Sequence, residues 1–468
     1  QLTLKIPKGW VLKRYERNMD PFTYSENGNI LVWKEEDLSF SQQEVLMPPW
    51  GYLTRKMDFV CYKPGSKNER HFDDWQDVAN WYAELADAQV DLLPAIRSKT
   101  SSLVKGATTL QDSIEAIASY EQRDIRYEAI EIKKGRFVPR KAGTTLHNLF
   151  GDCKDKTTLM RAMLKSIGIR SSAALASVQS AANDSLPTPF QFDHCIIAIN
   201  TDKLSEDHPY NNAIRGGWLF FDPTDTATPF GAIPFSLLGK PLVVCTPGGN
   251  VLQRFPYPDP KEQYRRYTVN GVLQDGGEAV INVTIADYGA NAQEQRYFQQ
   301  TSSSNEQRQS LSKYMQSILP GSKVAEFNIA DNGDSVLTTF NIKHTAFLKS
   351  VPPYSVMPSG IFDLAELEEL PSGKRTHDIW FGAPAKVEIR NHWVLPESWK
   401  ADGDTSTVVQ DIGAVRIKSM IRVDENTVQI MRQYSNSGAL VEAVEYKAAR
   451  KLSSKVDKLN NMKILIQK

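Results

Sequence analysis

Cys153 is the residue from which chemistry in this 468-residue chain can first be argued. It stands in the run GDCKDKTTLM, residues 151–160, where Leu159, Met160, Met163, Leu164 and Ile167 repeat as one buried helical stripe. Gly168 supplies the stop after that stripe. The helix therefore begins at Cys153 or one residue later, and a thiol in a first turn feels the positive end of the helix dipole. Lys154 and Lys156 add positive charge nearby. Both effects favour thiolate over thiol, which is what a cysteine nucleophile needs near neutral pH. Asp152 and Asp155 oppose this; their ordinary role is to cap the helix and satisfy its first-turn amides.

A thiolate nucleophile needs a base, and His194 is the candidate. It begins the apolar run His194–Ile199, in which Ile196 and Ala198 share its strand parity while Cys195 points to the other face and packs. A strand is a stiff mount for an imidazole that must meet a thiol. A third group should orient that ring, and Asp222 closes the apolar run Trp218–Phe221 just before Pro223. Asp225 competes with it; Asp222 is preferred because it continues the strand directly. Cys, His and Asp on helix, strand and strand match the logic of nucleophile, base and orienting acid. An oxyanion hole needs a second donor beside the Cys153 amide, and His147 and Tyr127 are the candidates, each with a structural reading beside it.

The elements that must position these residues are legible in the surrounding periodicity. Phe72, Trp75, Val78, Ala79, Tyr82 and Leu85 share one face of a helix. Thr108–Gln111 has the form of a capping box opening a second helix, with Leu110, Ile114 and Ile117 inward. Strands are expected over Ile125–Ile132, Ser171–Val178, Phe192–Ile199 and Trp218–Phe221. Helices followed by antiparallel strands indicate an α+β domain and not a doubly wound sheet. The polar stretch 63–70 looks like a linker, and the prolines and glycines of 246–260 mark a second boundary. Beyond it β signals dominate, with hairpins at Asn332-Gly333 and at 424–426 and one helix over Ser304–Ile318.

The run GDCKDK with its apolar helix, the strand-initial His194 and the Asp222 of FFDPTD resemble the transglutaminase-like superfamily. More narrowly they resemble bacterial members described as transglutaminase-like enzymes or cysteine proteases, over about Ile125 to Asp225. The resemblance implies Cys153 as nucleophile, His194 as base and Asp222 as orienting acid. It also implies a papain-like core flanked by β domains. The expected division is an N-terminal β domain at 1–63, truncated relative to the family, a catalytic domain at 64–250, and a C-terminal β-sandwich with helical insertions at 260–468. Family members are commonly exported, which places the protein in the periplasm or at the cell surface. The start at Gln1 instead of Met is compatible with a processed or excised sequence.

The implied chemistry is acyl transfer through a thioester. Water as second nucleophile gives a peptidase or amidase, and an amine gives a transglutaminase; the triad does not choose, and hydrolysis is favoured by the resemblance. A different class of reading is a cell-envelope binding or scaffold protein that keeps the triad with little turnover, because over half of the chain is β-patterned. The expected partner is a peptide or protein substrate, and the loop Asn183–Gln191 just before His194 is expected to shape its pocket. Equal numbers of basic and acidic side chains, 55 each, leave no bulk electrostatic footprint for nucleic acid. No apolar run reaches the ~18 residues of a membrane span. Four cysteines are too few for a disulfide scaffold and are not in metal-ligand spacing; Cys61 and Cys245 are expected in the core, and no cofactor is expected.

Overall fold

The computed structural model describes residues 1–468 except 19–22, 35–41, 66–71, 130–135, 180–183, 206–208, 249–251, 366–369 and 403–404. The chain is mixed α/β and divides into two compact units, Gln1–Ser41 with Pro49–Pro256, and Gln42–Pro48 with Tyr257–Lys468. The break after Pro256 falls inside FPYPDP, where closely spaced prolines remove backbone donors and prevent an element from crossing. Of the expected linker at 63–70, residues 66–70 lie outside the described residues.

The first unit opens with β1 (Leu2–Lys5), β2 (Val11–Arg17), β3 (Thr23–Asn27) and β4 (Ile30–Lys34), a short helix α1 (Trp50–Leu53) and β5 (Lys56–Tyr62). Strands β1, β4 and β3 form one sheet, and β2 and β5 form an antiparallel ribbon. There follow α2 (Trp75–Asp87), α3 (Pro94–Leu103), α4 (Leu110–Arg123), β6 (Arg126–Tyr127), α5 (Ala142–Asn148), β7 (Phe150–Gly151) and α6 (Cys153–Ser166). A six-stranded antiparallel sheet completes the unit: β8 (Ser171–Ala176), β9 (His194–Asn200), β10 (Ile214–Arg215), β11 (Trp218–Phe221), β12 (Pro241–Val244) and β13 (Leu252–Arg254), in the order β10-β11-β9-β8-β12-β13.

Helix α2 starts where Asp74 accepts from the Asp77 amide, and it buries Trp75, Val78, Ala79 and Tyr82 as its period requires. The capping box of α4 is one residue later than Thr108–Gln111. Thr109 pairs with Asp112, whose carboxylate also accepts from the Thr108 hydroxyl at 2.7 Å, so a short acid outcompetes the glutamine. Of the strand expected over Ile125–Ile132, Arg126–Tyr127 form one, pairing in parallel with β7; 130–132 lie outside the described residues. The expected stripe on α6 also proves too narrow. Every residue from Cys153 to Leu164 is buried, including Lys154, Asp155, Lys156 and Arg161, because α3, α4, α5, β8 and β9 all pack against this helix.

The second unit is built on an eight-stranded sheet of Lys323–Asp331, Ser335–His344, Ala279–Tyr288, Tyr264–Leu273, Ala385–Val394, Thr427–Asn436, Val415–Asp424 and Ser406–Ile412, in that spatial order. Tyr264–Leu273 and Ala385–Val394 run parallel; the other neighbours are antiparallel. A four-stranded sheet and the helices Ala290–Thr301, Ser304–Ile318 and Tyr446–Asn460 accompany it; only the middle helix was expected. Gly333 takes φ +85° in the expected hairpin turn, a value that glycine adopts without strain. Gln42–Pro48 joins this unit through Glu44, which accepts from the amides of Thr376 at 2.9 Å and His377 at 3.0 Å. Among the described residues no helix is long and apolar enough to cross a membrane.

Candidate active site

The start of α6 is fixed by a reciprocal capping box. Asp152 accepts from the Asp155 amide at 3.2 Å, and Asp155 accepts from the Asp152 amide at 3.3 Å. Asp155 also accepts from the Arg140 amide at 2.7 Å; burial nevertheless pushes its carboxyl above its ordinary pKa. Gly151 makes room for this turn, because a Cβ there would stand 2.6 Å from the Asp155 Cβ. Cys153 thus becomes the first helical residue, 6% exposed and packed among Tyr82, Leu175 and Cys195. In the next turn the Thr157 hydroxyl donates to the Cys195 carbonyl at 3.3 Å, tying the helix to β9 one residue past His194.

Cross-strand register brings the other two residues together. β11 pairs with β9 so that Phe221 faces Ile197. One further step along that register sets Asp222 beside Ile196, a diagonal neighbour of His194. Nε2 of His194 lies 2.7 Å from Oδ2 of Asp222. The Cys153 thiol interacts with the same imidazole and, after Asp222, helps raise its pKa. A carboxylate only accepts, so the neutral ring carries its proton on Nε2 and leaves Nδ1 as an acceptor.

Electrostatics favour a charged ring and an ionised acid. Burial works against charging His194, but the Asp222 carboxylate and the thiol outweigh it and hold the imidazole well above its ordinary pKa. Burial likewise penalises the Asp222 anion. His194 and the Thr224 hydroxyl and amide outweigh that penalty and hold the carboxyl below its ordinary value.

Of the two lysines, Lys154 interacts electrostatically with Cys153 as expected, whereas Lys156 serves other groups. The Lys154 ammonium is bound by the Asp152 carboxylate; burial opposes its charge, yet Asp152 keeps its pKa raised. Lys156 donates to the Ile125 carbonyl at 2.7 Å and lies within electrostatic reach of Glu121 and Asp222. Burial lowers its pKa against the pull of those two acids. Glu121 is completely buried, neither of its oxygens is hydrogen-bonded, and burial pushes its carboxyl well up.

The chain shares its fold with a putative protease from Parabacteroides distasonis ATCC 8503. That crystal structure matches 100% of this chain and 72% of its own, with a TM-score of 0.56 and 11% sequence identity. At that identity the likeness is one of fold alone. No family model and no curated protein matches the sequence.

His194 meets Asp222 and interacts with Cys153, whereas Asp225 does not join them. Asp225 accepts from the Ala227 amide at 2.8 Å and from Thr228, and so closes its own loop. His147 and Tyr127 are both exposed. Cys195 is buried as expected, receives the Tyr82 hydroxyl at 3.7 Å, and has its thiol pushed up to about 12 by burial. Cys245 is buried too, but Cys61 is exposed, because β5 lies in a two-stranded ribbon with little covering it. All four cysteines are free. Among the described residues no group of three or more His, Cys, Asp or Glu side chains is placed to hold a metal ion. Thr224 was missed in the sequence, although Asp-Pro-Thr is the form of an Asx turn, whose acid accepts from the amide two residues on. Glu121 left no signal: on a helix face it reads as an ordinary surface acid.

Proposed function

We propose that the protein is a thiol hydrolase, a cysteine peptidase or amidase of the transglutaminase-like superfamily acting through Cys153, His194 and Asp222. One observation carries this reading. The His194 imidazole is held at 2.7 Å by the buried Asp222 carboxylate and interacts with the Cys153 thiol at the first residue of α6. On this reading residues 64–250 form a papain-like core with β modules at 1–63 and 260–468, and the resemblance supports an exported protein. The likeness in fold to a protease supports the class of activity without naming the nucleophile.

In the first half-reaction the Cys153 sulfur attacks a carboxamide carbon while Nδ1 of His194 takes the thiol proton. The C–N bond then breaks, and the imidazolium returns that proton to the departing amine. Backbone amides at the start of α6 face the tetrahedral oxyanion. In the second half-reaction water attacks the thioester, gives a proton to His194 and releases the acid, and the thiol is reprotonated. Asp222 fixes the tautomer and stabilises the imidazolium without itself taking the proton.

The test is alkylation followed by cleavage. With Cys61 replaced by Ser to remove the exposed background thiol, iodoacetamide at pH 6 to 7 should label Cys153 well ahead of Cys195 and Cys245. His194→Ala should abolish that preference. A peptide library should be cut by the unsubstituted protein and spared by Cys153→Ala; if a fluorescent amine is incorporated in place of cleavage, the second nucleophile is an amine and the hydrolase reading gives way to a transglutaminase. Equal, slow labelling of all three thiols would sink the enzyme reading altogether.

A further inference from the structure

A groove of about 520 Å³ opens in the first unit between strand β5 and the loop that leads to His194. Residues 58–61 form one wall, and Thr188, Phe190 and Gln191 stand on the loop, with Phe72 also lining the space. Successive strand side chains point to opposite faces, so four in a row can border one groove only along the edge of the strand. The other edge of β5 is occupied by β2, in a register running from Val11 opposite Tyr62 to Arg17 opposite Lys56. Among the described residues that ribbon has two strands, so the edge facing the groove presents unpaired amides and carbonyls. A row of alternating donors and acceptors at strand spacing is matched by one kind of ligand, an extended polypeptide added as a third strand.

Two features join the groove to the candidate site. Only Phe192 and Asp193 separate Gln191 from His194, so at most about 10 Å of chain lie between groove wall and imidazole. Phe72 belongs to the apolar cluster that packs Cys153. The rings supply selectivity. Phe190 is 65% exposed on a 3-10 turn, so most of its ring faces solvent. It is backed by Phe137 at 5.6 Å, which meets Trp81 at 5.3 Å, which meets Phe72 at 5.6 Å. The Arg136 guanidinium lies over both Phe137 and Phe190. A solvent-facing ring backed in this way receives another large apolar side chain.

We propose that this groove seats the substrate polypeptide as an added strand on β5, with a large apolar or aromatic side chain against Phe72 and Phe190. The proposal rests on the peptidase reading of Cys153 and adds the class of substrate it takes.

The experiment separates the two. Fluorescein-labelled alanine-rich octapeptides carrying a single Phe, Leu, Ala or Asp are titrated by fluorescence polarisation against Cys153→Ala protein, which binds without cutting. The Phe peptide should bind about tenfold more tightly than the Ala peptide, and Phe190→Ala should remove that preference. N-methylation of the Phe peptide at alternate amides should weaken binding, and at the intervening ones leave it unchanged. Iodoacetamide labelling of Cys153 should be the same with and without Phe190→Ala. Peptide affinity that ignores both the Phe residue and N-methylation, beside a reactive Cys153, overturns the groove and leaves the peptidase reading standing. An unreactive Cys153 beside Phe-selective, N-methyl-sensitive binding removes the peptidase reading, and with it the assignment of the bound peptide as a substrate.

Discussion

Thr224 holds Oδ1 of Asp222, donating from its hydroxyl at 2.7 Å and from its amide at 2.9 Å, while Oδ2 of the same carboxylate faces His194. Both oxygens are therefore committed, and the acid cannot rotate without losing a partner. Thr224→Ala removes one of the two Thr224 bonds and should lower the rate of amide cleavage about tenfold. Asp222→Asn should cost on the order of 1000-fold, because an amide at that position can select the wrong tautomer of His194. Steady-state kinetics of both variants on one peptide check the order; equal losses would mean that Thr224 does more than orient the acid.

The pair should also leave a signature in stability. The folded pKa of His194 is raised above 6.5, so its contribution is fully present below that value and is lost as pH rises through the folded pKa. The folded pKa of Asp222 is lowered below 3.8, so its contribution is present above that value and is lost as pH falls through the folded pKa. The difference in Tm between the unsubstituted protein and His194→Ala should accordingly be greatest between pH 4 and 6.5 and shrink on either side, over a constant packing offset. Thermal denaturation from pH 3 to 10 measures it, and a flat difference would contradict the assignment.

Behind the site, Lys156 is the cation that Asp222 and Glu121 share. Lys156→Met leaves the buried Ile125 carbonyl without its donor and takes a cation from beside Asp222, which keeps His194 as its counter-charge. A loss of about 3 kcal/mol is expected. Glu121→Gln keeps the volume and removes an acid that burial already drives toward its neutral form, so its effect should stay within about 1 kcal/mol. Urea denaturation of the two variants distinguishes them; a larger cost for Glu121→Gln would mean that its carboxylate is ionised and needed.

Gly151 is a close-approach glycine with no unusual torsion. Alanine there drives a methyl into Asp155 and to 3.2 Å from Thr145 Cγ2. The capping box must open or α6 must shift, at a cost of about 2 kcal/mol. Because Cys153 is the first residue of that helix, activity should fall by more than the loss of folded protein accounts for. Comparing the rate per folded molecule with that of Thr224→Ala tests this.

Much of this architecture follows from short-range rules. The start of α6 is written in Asp152 and Asp155, and its end in Gly168, which takes φ +77°. Strand β11 occupies Trp218–Phe221, and the helix Ser304–Ile318 has the bounds expected of it. Caps and periodicity act within a few residues, so they survive in a single sequence. Helix Ala290–Thr301 was not legible, because polar residues such as Gln293 and Gln295 crowd its pattern; Tyr446–Asn460 was missed although Tyr446, Ala449, Leu452, Val456 and Leu459 recur at helical spacing.

The sequence by itself determined where the candidate residues stand, a thiol in a first turn, an imidazole opening a strand and a carboxylate closing another, because each position is set by its own element. Tertiary structure alone decided the partners. Strand register chose Asp222 over Asp225, and folding bound Lys154 to Asp152 beside the thiol and turned Lys156 to Ile125. Glu121 was drawn into the core, Cys61 was left in the open, and 42–48 was drawn into the second unit. Such choices compare contacts between residues far apart in the chain, and a charge in a low-dielectric interior goes to whichever opposite charge or carbonyl folding brings nearest.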